Sequence, residues 1–248
     1  MKNLNTILAV GTMAAVCGAA SGGVTTLYSQ NFNGMTTSNT AALPTDWRFS
    51  NASTPTWGGT TTNAVTQNAG TSGTGIVTGA SSGGNYLWVD GVLATGTDKA
   101  IGFLTSGSAA GPRSIMFAYT NSTGYDLASF TASWDYEKYR SGTRAFGWTF
   151  FASTDGTNWS AVTAGDQSYS ADANSTTVSN PPSSISKSVT ISAAVANGST
   201  LYLRWTYTGV GGSTNAQGLG IDNFSLVPAP GALALLGVAG IVGARRRR

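Results

Sequence analysis

Phe130-Thr-Ala-Ser-Trp-Asp-Tyr-Glu-Lys-Tyr-Arg140 changes character at nearly every step: Phe130, Ala132, Trp134 and Tyr136 share one parity, and Thr131, Ser133, Asp135 and Glu137 the other. Successive side chains of an extended strand point to opposite faces, so this stretch predicts a strand with an apolar face and a polar face carrying two carboxylates. Phe146, Trp148 and Phe150 alternate with Ala145, Gly147 and Thr149 in the same way. The intervening Arg140-Ser-Gly-Thr-Arg144 contains a glycine and turns the chain, which predicts a hairpin of the two strands.

The same period recurs outward in both directions. Ile115, Phe117 and Tyr119 form one run, Val189 and Ile191 another, and Leu201, Leu203, Trp205 and Tyr207 a third, with shorter candidates at 27–32, 86–89 and 101–104. No stretch sustains a 3.6-residue period, so the body reads as all-β. Near the C-terminus the alternation slips: Leu219 and Ile221 share a parity that Phe224 and Leu226 do not. One extra residue at Asp222-Asn223, a β-bulge, accounts for it. The position of that strand places it beside the first, the usual closure of a jelly roll, and the expectation is a single antiparallel jelly-roll β-sandwich over residues 21–227.

The formal charge of +3 comes from 13 Lys and Arg against 10 Asp and Glu, with one Cys and no His. Lys2 and Arg245 to Arg248 lie in the two end segments, and without them eight bases face ten acids. No basic stripe remains to meet phosphates, so nucleic acid is not an expected partner. The absence of His excludes Ser-His-Asp and Cys-His catalysis and imidazole metal sites. Cys17, the only thiol, lies in the N-terminal apolar stretch, which leaves the body without a disulfide or a thiolate nucleophile.

Residues 1–20 begin with one Lys, run through an apolar segment at 7–16 and finish on Gly18, Ala19 and Ala20, a secretory signal-peptide pattern with cleavage expected after Ala20. A lipoprotein reading would acylate Cys17, although Val16 stands where such motifs need a smaller residue. At the other end, Val227-Pro-Ala-Pro230 is followed by an apolar run and then by Arg245, Arg246, Arg247 and Arg248. The apolar run 231–244 would measure about 21 Å as a helix, against about 30 Å of hydrocarbon, and counting from Val227 lengthens it to about 27 Å. A short apolar helix at 228–248 that stops transiently in a thin membrane, with the arginines on the cytoplasmic side, is the physical reading.

That tail closely resembles the PEP-CTERM sorting signal of Gram-negative bacteria, with Ala229 where the name-giving Glu would stand. The resemblance implies an inner-membrane precursor, an exosortase-type processing enzyme that cuts near Pro228 and Pro230, and delivery to the cell surface or a biofilm matrix. Leu27-Tyr-Ser-Gln-Asn-Phe-Asn-Gly34 and Leu219-Gly-Ile-Asp-Asn-Phe-Ser-Leu226 are similar to the opening and closing strands of concanavalin-like and carbohydrate-binding-module-like jelly rolls. Trp134 to Arg140 and Ser153-Thr-Asp-Gly-Thr-Asn-Trp159 resemble uncharacterised secreted bacterial domains that carry the same kind of tail. These likenesses imply fold and address, and no activity.

Three constellations offer chemistry. Asp135 and Glu137 lie two apart on one strand face, roughly 7 Å along it, a separation that glycosidase carboxylates use. Laminarinase-type jelly-roll glycosidases place Glu-x-Asp-x-x-Glu on such a strand; this chain has only Asp135-x-Glu137, with Arg140 where the second Glu would stand. The alternative is that both acids pair with Lys138, Arg140, Arg144 or Arg204 on an exposed sheet face. Asp222 at the bulge is a metal candidate: the resemblance implies a structural Ca²⁺ between the first and last strands, with Asn31 or Gln30 as the partner ligand, and a side-chain bond to backbone is the alternative. Among the tryptophans, Trp134, Trp148 and Trp205 read as core. Trp47, Trp57 and Trp88 lie near Gly, Ser and Thr-rich loops and are candidate sugar-stacking platforms, with loop packing as the alternative. The expected function is a non-catalytic exported surface or matrix protein that binds exopolysaccharide; a glycan-cleaving enzyme using Asp135 and Glu137 and a purely structural coat protein are the alternatives.

Overall fold

The computed structural model describes residues 25–68, 82–89, 96–107, 110–175, 177–212 and 214–229. Ala20, Pro230 and Arg245 to Arg248, with the leader and the apolar tail, lie outside the described residues. The described residues form thirteen strands: β1 (Tyr28–Gln30), β2 (Trp47–Ser50), β3 (Gln67–Asn68), β4 (Gly84–Val89), β5 (Lys99–Leu104), β6 (Arg113–Thr120), β7 (Phe130–Arg140), β8 (Phe146–Ser153), β9 (Ser160–Ala161), β10 (Gln167–Tyr169), β11 (Val178–Ile191), β12 (Thr200–Gly209) and β13 (Gly218–Pro228). Among the described residues the single helical turn is a 3₁₀ turn at Thr163–Gly165.

The strands form a seven-stranded sheet ordered β11-β7-β13-β5-β4-β3, with β1 also on β13, and a six-stranded sheet ordered β10-β8-β12-β6-β2, with β9 on β8. All pairings are antiparallel except β3 with β4. The chain is therefore an all-β antiparallel sandwich of the jelly-roll kind, with the last strand beside the first as the sequence predicts: Tyr28 faces Leu226 and Gln30 faces Phe224.

The inner faces bury the alternating aromatics. Trp134, Trp148 and Trp205 are at most 1% exposed. Trp205 stands edge-on to Trp134 at 5.4 Å and stacks with Trp47 at 5.8 Å, and Trp134 meets Phe150 at 4.6 Å. The Trp205–Trp134 and Trp134–Phe150 contacts cross the space between the two sheets, so aromatic burial is the main attraction holding the layers together.

β13 contains the expected bulge. Its register against β7 slips between Asp222 and Ser225, and Asn223 takes a positive φ of 51°, a region that Asn tolerates better than most residues. The extra residue lets Ile221 and Phe224 both face inward despite their opposite parity. The predicted hairpin of β7 with β8 does not form. β7 belongs to the seven-stranded sheet and β8 to the other, so Arg140 to Arg144 carries the chain across the edge of the sandwich. Both strands already have partners from distant sequence: β7 takes β11 and β13, and β8 takes β12 and β10.

Candidate functional site

The outer faces of the two sheets differ in chemistry. On the six-stranded sheet, one in-register row crosses four strands as Arg48, Met116, Arg204 and Phe151. The guanidinium of Arg48 lies 4.1 Å from the centre of the Trp57 ring and donates 2.7 Å to the Trp57 carbonyl. That of Arg204 sits between two rings, 4.0 Å from Phe151 and 4.8 Å from Trp159. Burial lowers the Arg204 pKa to about 10, still cationic at neutral pH, so the ring faces supply part of the stabilisation that water has ceased to give.

Two loops bring these rings together. Trp57 N–H donates 2.8 Å to the Gly156 carbonyl, and Trp159 Nε1–H donates 2.8 Å to the Pro55 carbonyl. Between Ser153 and Trp159 the chain makes an Asp-Gly turn. The Asp155 carboxylate accepts from the Asn158 side chain and from the Thr157 and Asn158 backbone, which holds its pKa well below the usual carboxylate range. Gly156 takes a φ of 69° there. Trp57, Phe151, Trp159 and Tyr202 are each partly exposed. The same turn lines a groove of about 590 Å³ whose walls include Asp155, Asn158, Ser160, Thr190 and Ser192. The rings themselves are not part of that groove, whose walls also include Ala152, Val162, Ile191 and Ala193.

The sequence nominated three tryptophans for exposure, and the structure separates them. Trp57 stands on this outer face. Trp47 does not: it is the first residue of β2, fully buried, with its Nε1–H donating 2.9 Å to the Tyr28 hydroxyl. Trp88 is fully buried as well. Trp159 is partly exposed beside Trp57.

On the seven-stranded sheet, hydroxyls occupy the outer face. Ser188, Ser133, Ser225 and Ser29 form one row across β11, β7, β13 and β1. The next row carries Ser186 and Asp135, and Asp135 accepts from the Ser186 hydroxyl and, at 2.9 Å, from the Asn223 amide. The donors to Asp135 are thus a neutral hydroxyl and a neutral amide. Glu137 accepts from the Tyr139 hydroxyl, Lys138 pairs instead with Asp172 at 2.7 Å, Arg140 donates to the Ala216 carbonyl, Arg144 to that of Gly211, and Arg204 lies on the other sheet. Glu137 is 5% exposed, so the two acids do not face a substrate-sized opening together.

Further along this face Tyr86, Trp88 and Tyr139 stack flat, with centroid separations of 4.4 and 5.0 Å and interplanar angles of 14° and 5°. They lie over two glycines of β13. A Cβ on Gly218 would meet Trp88 at 2.6 Å, and one on Gly220 would meet Trp88 at 3.0 Å and Tyr139 at 3.2 Å. Gly218-Leu-Gly220 is therefore a trough that admits the indole, and it explains why Trp88 is buried on an outer face.

Beside the stack, Asp98, Glu137 and Asp222 come from three adjacent strand lines and place one carboxylate oxygen each within 4.8 Å of the others. Asp222 is 0% exposed, and neither of its oxygens has a hydrogen-bond partner among the described residues. Burial pushes its pKa up to about 8, and the charges of Glu137, Asp98 and Asp135 add to the rise. The adjacent Asn223 N–H offsets this in part without reaching hydrogen-bonding geometry with either oxygen. Asn31, the partner proposed from sequence, is not in the cluster; it lines a separate pocket with Gln30, Asn223 and Ser225. Asp98 was missed because only the register of β5 with β13 brings it to Asp222, and that pairing leaves no local pattern in the chain.

No family model and no curated protein matches this chain. Solved structures with related architecture include the K3 adhesin domain of Lys-gingipain from Porphyromonas gingivalis, at 10% identity over 82% of this chain and 98% of that one, TM-score 0.42. A carbohydrate-binding module in complex with β-1,4-galactotriose is 10% identical over 53% of this chain and 72% of its own, TM-score 0.32. The N-terminal cellulose-binding domain of β-1,4-glucanase C from Cellulomonas fimi is 10% identical over 74% and 88%, TM-score 0.31. These are distant likenesses, and the architecture given above rests on the strand pairing of this chain.

Proposed function

We propose that this protein is a non-catalytic, exported glycan-binding module whose binding surface is the outer face of the six-stranded sheet around Trp57 and Trp159. The observation that carries the reading is the pair of half-exposed indoles, each held by an arginine and by hydrogen bonds to backbone. Sugar rings present flat C–H faces that stack on indoles, and hydroxyls at their edges need acceptors and donors such as Asn158, Ser160 and Thr190. Rings immobilised before binding lose little entropy when a ligand arrives. The carboxylates required for glycan cleavage are engaged elsewhere, which favours binding over hydrolysis.

Export follows from the leader at residues 1–20 and the tail beginning at Val227. The exosortase-type enzyme is the processing partner in this reading, and the cell surface or an exopolysaccharide matrix the destination. The body and the tail overlap by a few residues. Val227 and Pro228 pair with Thr131 and Phe130 of β7, and the Ala229 N–H donates 3.1 Å to the Ser129 carbonyl.

The test is affinity electrophoresis and a glycan array with purified protein. Binding to at least one polysaccharide is expected, and Trp57→Ala combined with Trp159→Ala should weaken it at least tenfold, about 1.4 kcal/mol. Undiminished binding by the double variant would refute the assigned face. Failure of the unaltered protein to bind any glycan would leave a structural coat protein as the better description. Recovery of secreted protein with Arg245 to Arg248 still attached would contradict the processing step.

A further inference from the structure

We propose that Asp98, Glu137 and Asp222 form a binding site for a hard divalent cation, Ca²⁺ by class, on the outer face of the seven-stranded sheet. This site is independent of the glycan-binding face, which lies on the other sheet.

Three carboxylates from β13, β7 and the approach to β5 converge, with one oxygen of each within 4.8 Å of the others. Such convergence is common on protein surfaces and would by itself say little. Asp222 changes its meaning, because its side chain is completely buried, points into the cluster and has no hydrogen bond to either oxygen. A buried carboxylate without a donor is costly, and buried polar groups in folded proteins almost always find a partner. Here its polar surroundings are further acids: Glu137 and Asp98 in the cluster and Asp135 nearby. No described cation fills the gap. The Lys99 ammonium is committed to the Asn33 and Met35 carbonyls at 3.1 and 2.5 Å, and Lys138 to Asp172. A bound cation would supply what the side chain lacks.

The ligand set selects the kind of ion. All three donors are carboxylate oxygens, with no imidazole or thiolate, which suits Ca²⁺ or Mg²⁺ rather than zinc or copper. Ca²⁺ accepts irregular arrangements of six to eight oxygens and mixed mono- and bidentate carboxylates, whereas Mg²⁺ demands a near-octahedral shell and gives up its water reluctantly. Carboxylates on adjacent strands cannot move independently, so the irregular coordination of Ca²⁺ fits better. The fold also fixes two of the ligands directly. The β-bulge at Asp222 and Asn223 sets the direction of the Asp222 side chain, and the Tyr139 hydroxyl, itself located by the stack over Gly220, holds one oxygen of Glu137.

The experiment uses the full chain, stripped with EDTA and exchanged into metal-free buffer. Calorimetric melting with added Ca²⁺ at about 10 mM should raise Tm by several degrees, because a ligand bound only by the native state stabilises it, and extracellular Ca²⁺ modules have Kd values of about 10⁻⁴–10⁻³ M. Mg²⁺ should raise it less. Terbium offers a second, local readout. Tyr139 and Trp88 adjoin the site, so excitation of the aromatic groups should produce saturable terbium emission that Ca²⁺ displaces. Asp222→Asn, which keeps the shape and removes the charge, should abolish both effects; Asp98→Asn, on an exposed carboxylate, should weaken terbium binding at least tenfold even if the first variant does not fold. A Tm unmoved by Ca²⁺ together with no sensitised emission would overturn the proposal. So would emission that survives intact in both variants.

Discussion

Gly220 shows how one missing side chain organises a surface. Its Cα lies beneath Trp88 and Tyr139, and a methyl group there would press on both rings and on Ala100 at 3.0–3.3 Å. The rings are buried and stacked, so they cannot swing aside without breaking their mutual contact. Gly220→Ala should therefore cost about 1–3 kcal/mol in urea denaturation, the usual penalty of overpacking. Gly34→Ala, where nothing lies within 4 Å, should stay within about 0.5 kcal/mol of the parent. Equal losses at the two positions would contradict the trough. Gly220 also marks where reading the chain by itself falls short. Trp88 sits among Gly and Ser residues and resembles a loop tryptophan, while the glycines that admit it are more than a hundred residues away. Trp47 deceived in a simpler way, since four residues of β2 are too few to show a period. Trp134, Trp148 and Trp205 were legible because each sits in a long alternating run.

At the level of elements, β13 carries the most structure per residue. It pairs with β7 along its length, with β5 through Leu219 to Ile221 and with β1 through Phe224 to Leu226. The parity slip that reveals its bulge is written in the sequence, and so is its partnership with the first strand. The assignment of β7 and β8 to different sheets is not, because a glycine-containing turn reads the same whether it joins neighbours or crosses a sandwich edge. β11 tells a similar story: Pro181 and Pro182 lie inside it, which is tolerated because β11 pairs only with β7 and occupies a sheet edge. The pairing of Val227 and Pro228 yields a prediction about truncation. A chain ending at Ala229 should melt in urea like the full chain. One ending at Asn223 loses Phe224 and Leu226, both at most 1% exposed, and should be destabilised by at least about 4 kcal/mol. Matching midpoints for the two would show that the end of β13 is dispensable.

The molecule as a whole is bound together by contacts between distant parts of the chain. The first strand meets the last, β2 meets β6, and β12 sits between β6 and β8. Loop closure must come before any of these contacts contributes, so refolding from urea should take milliseconds to seconds, as measured by stopped-flow tryptophan fluorescence. A microsecond phase carrying most of the amplitude would be inconsistent with this topology. Fold class was apparent in the sequence, because alternation is local. The carboxylate cluster and the Trp57–Trp159 face were not, because each exists only once separate strands or loops have been placed side by side.

Among the described strands of the seven-stranded sheet, β13 alone joins the pair β11-β7 to the trio β5-β4-β3. A chain that crosses a membrane N-terminus first delivers both groups before the strand that joins them. Until Gly218–Pro228 emerges, two open sheet edges wait on the far side, each able to pair with a neighbouring chain. Under the proposed export, the domain would close only when nearly all of it had been translocated, and a tail that paused at the membrane would hold each molecule apart from its copies during that interval.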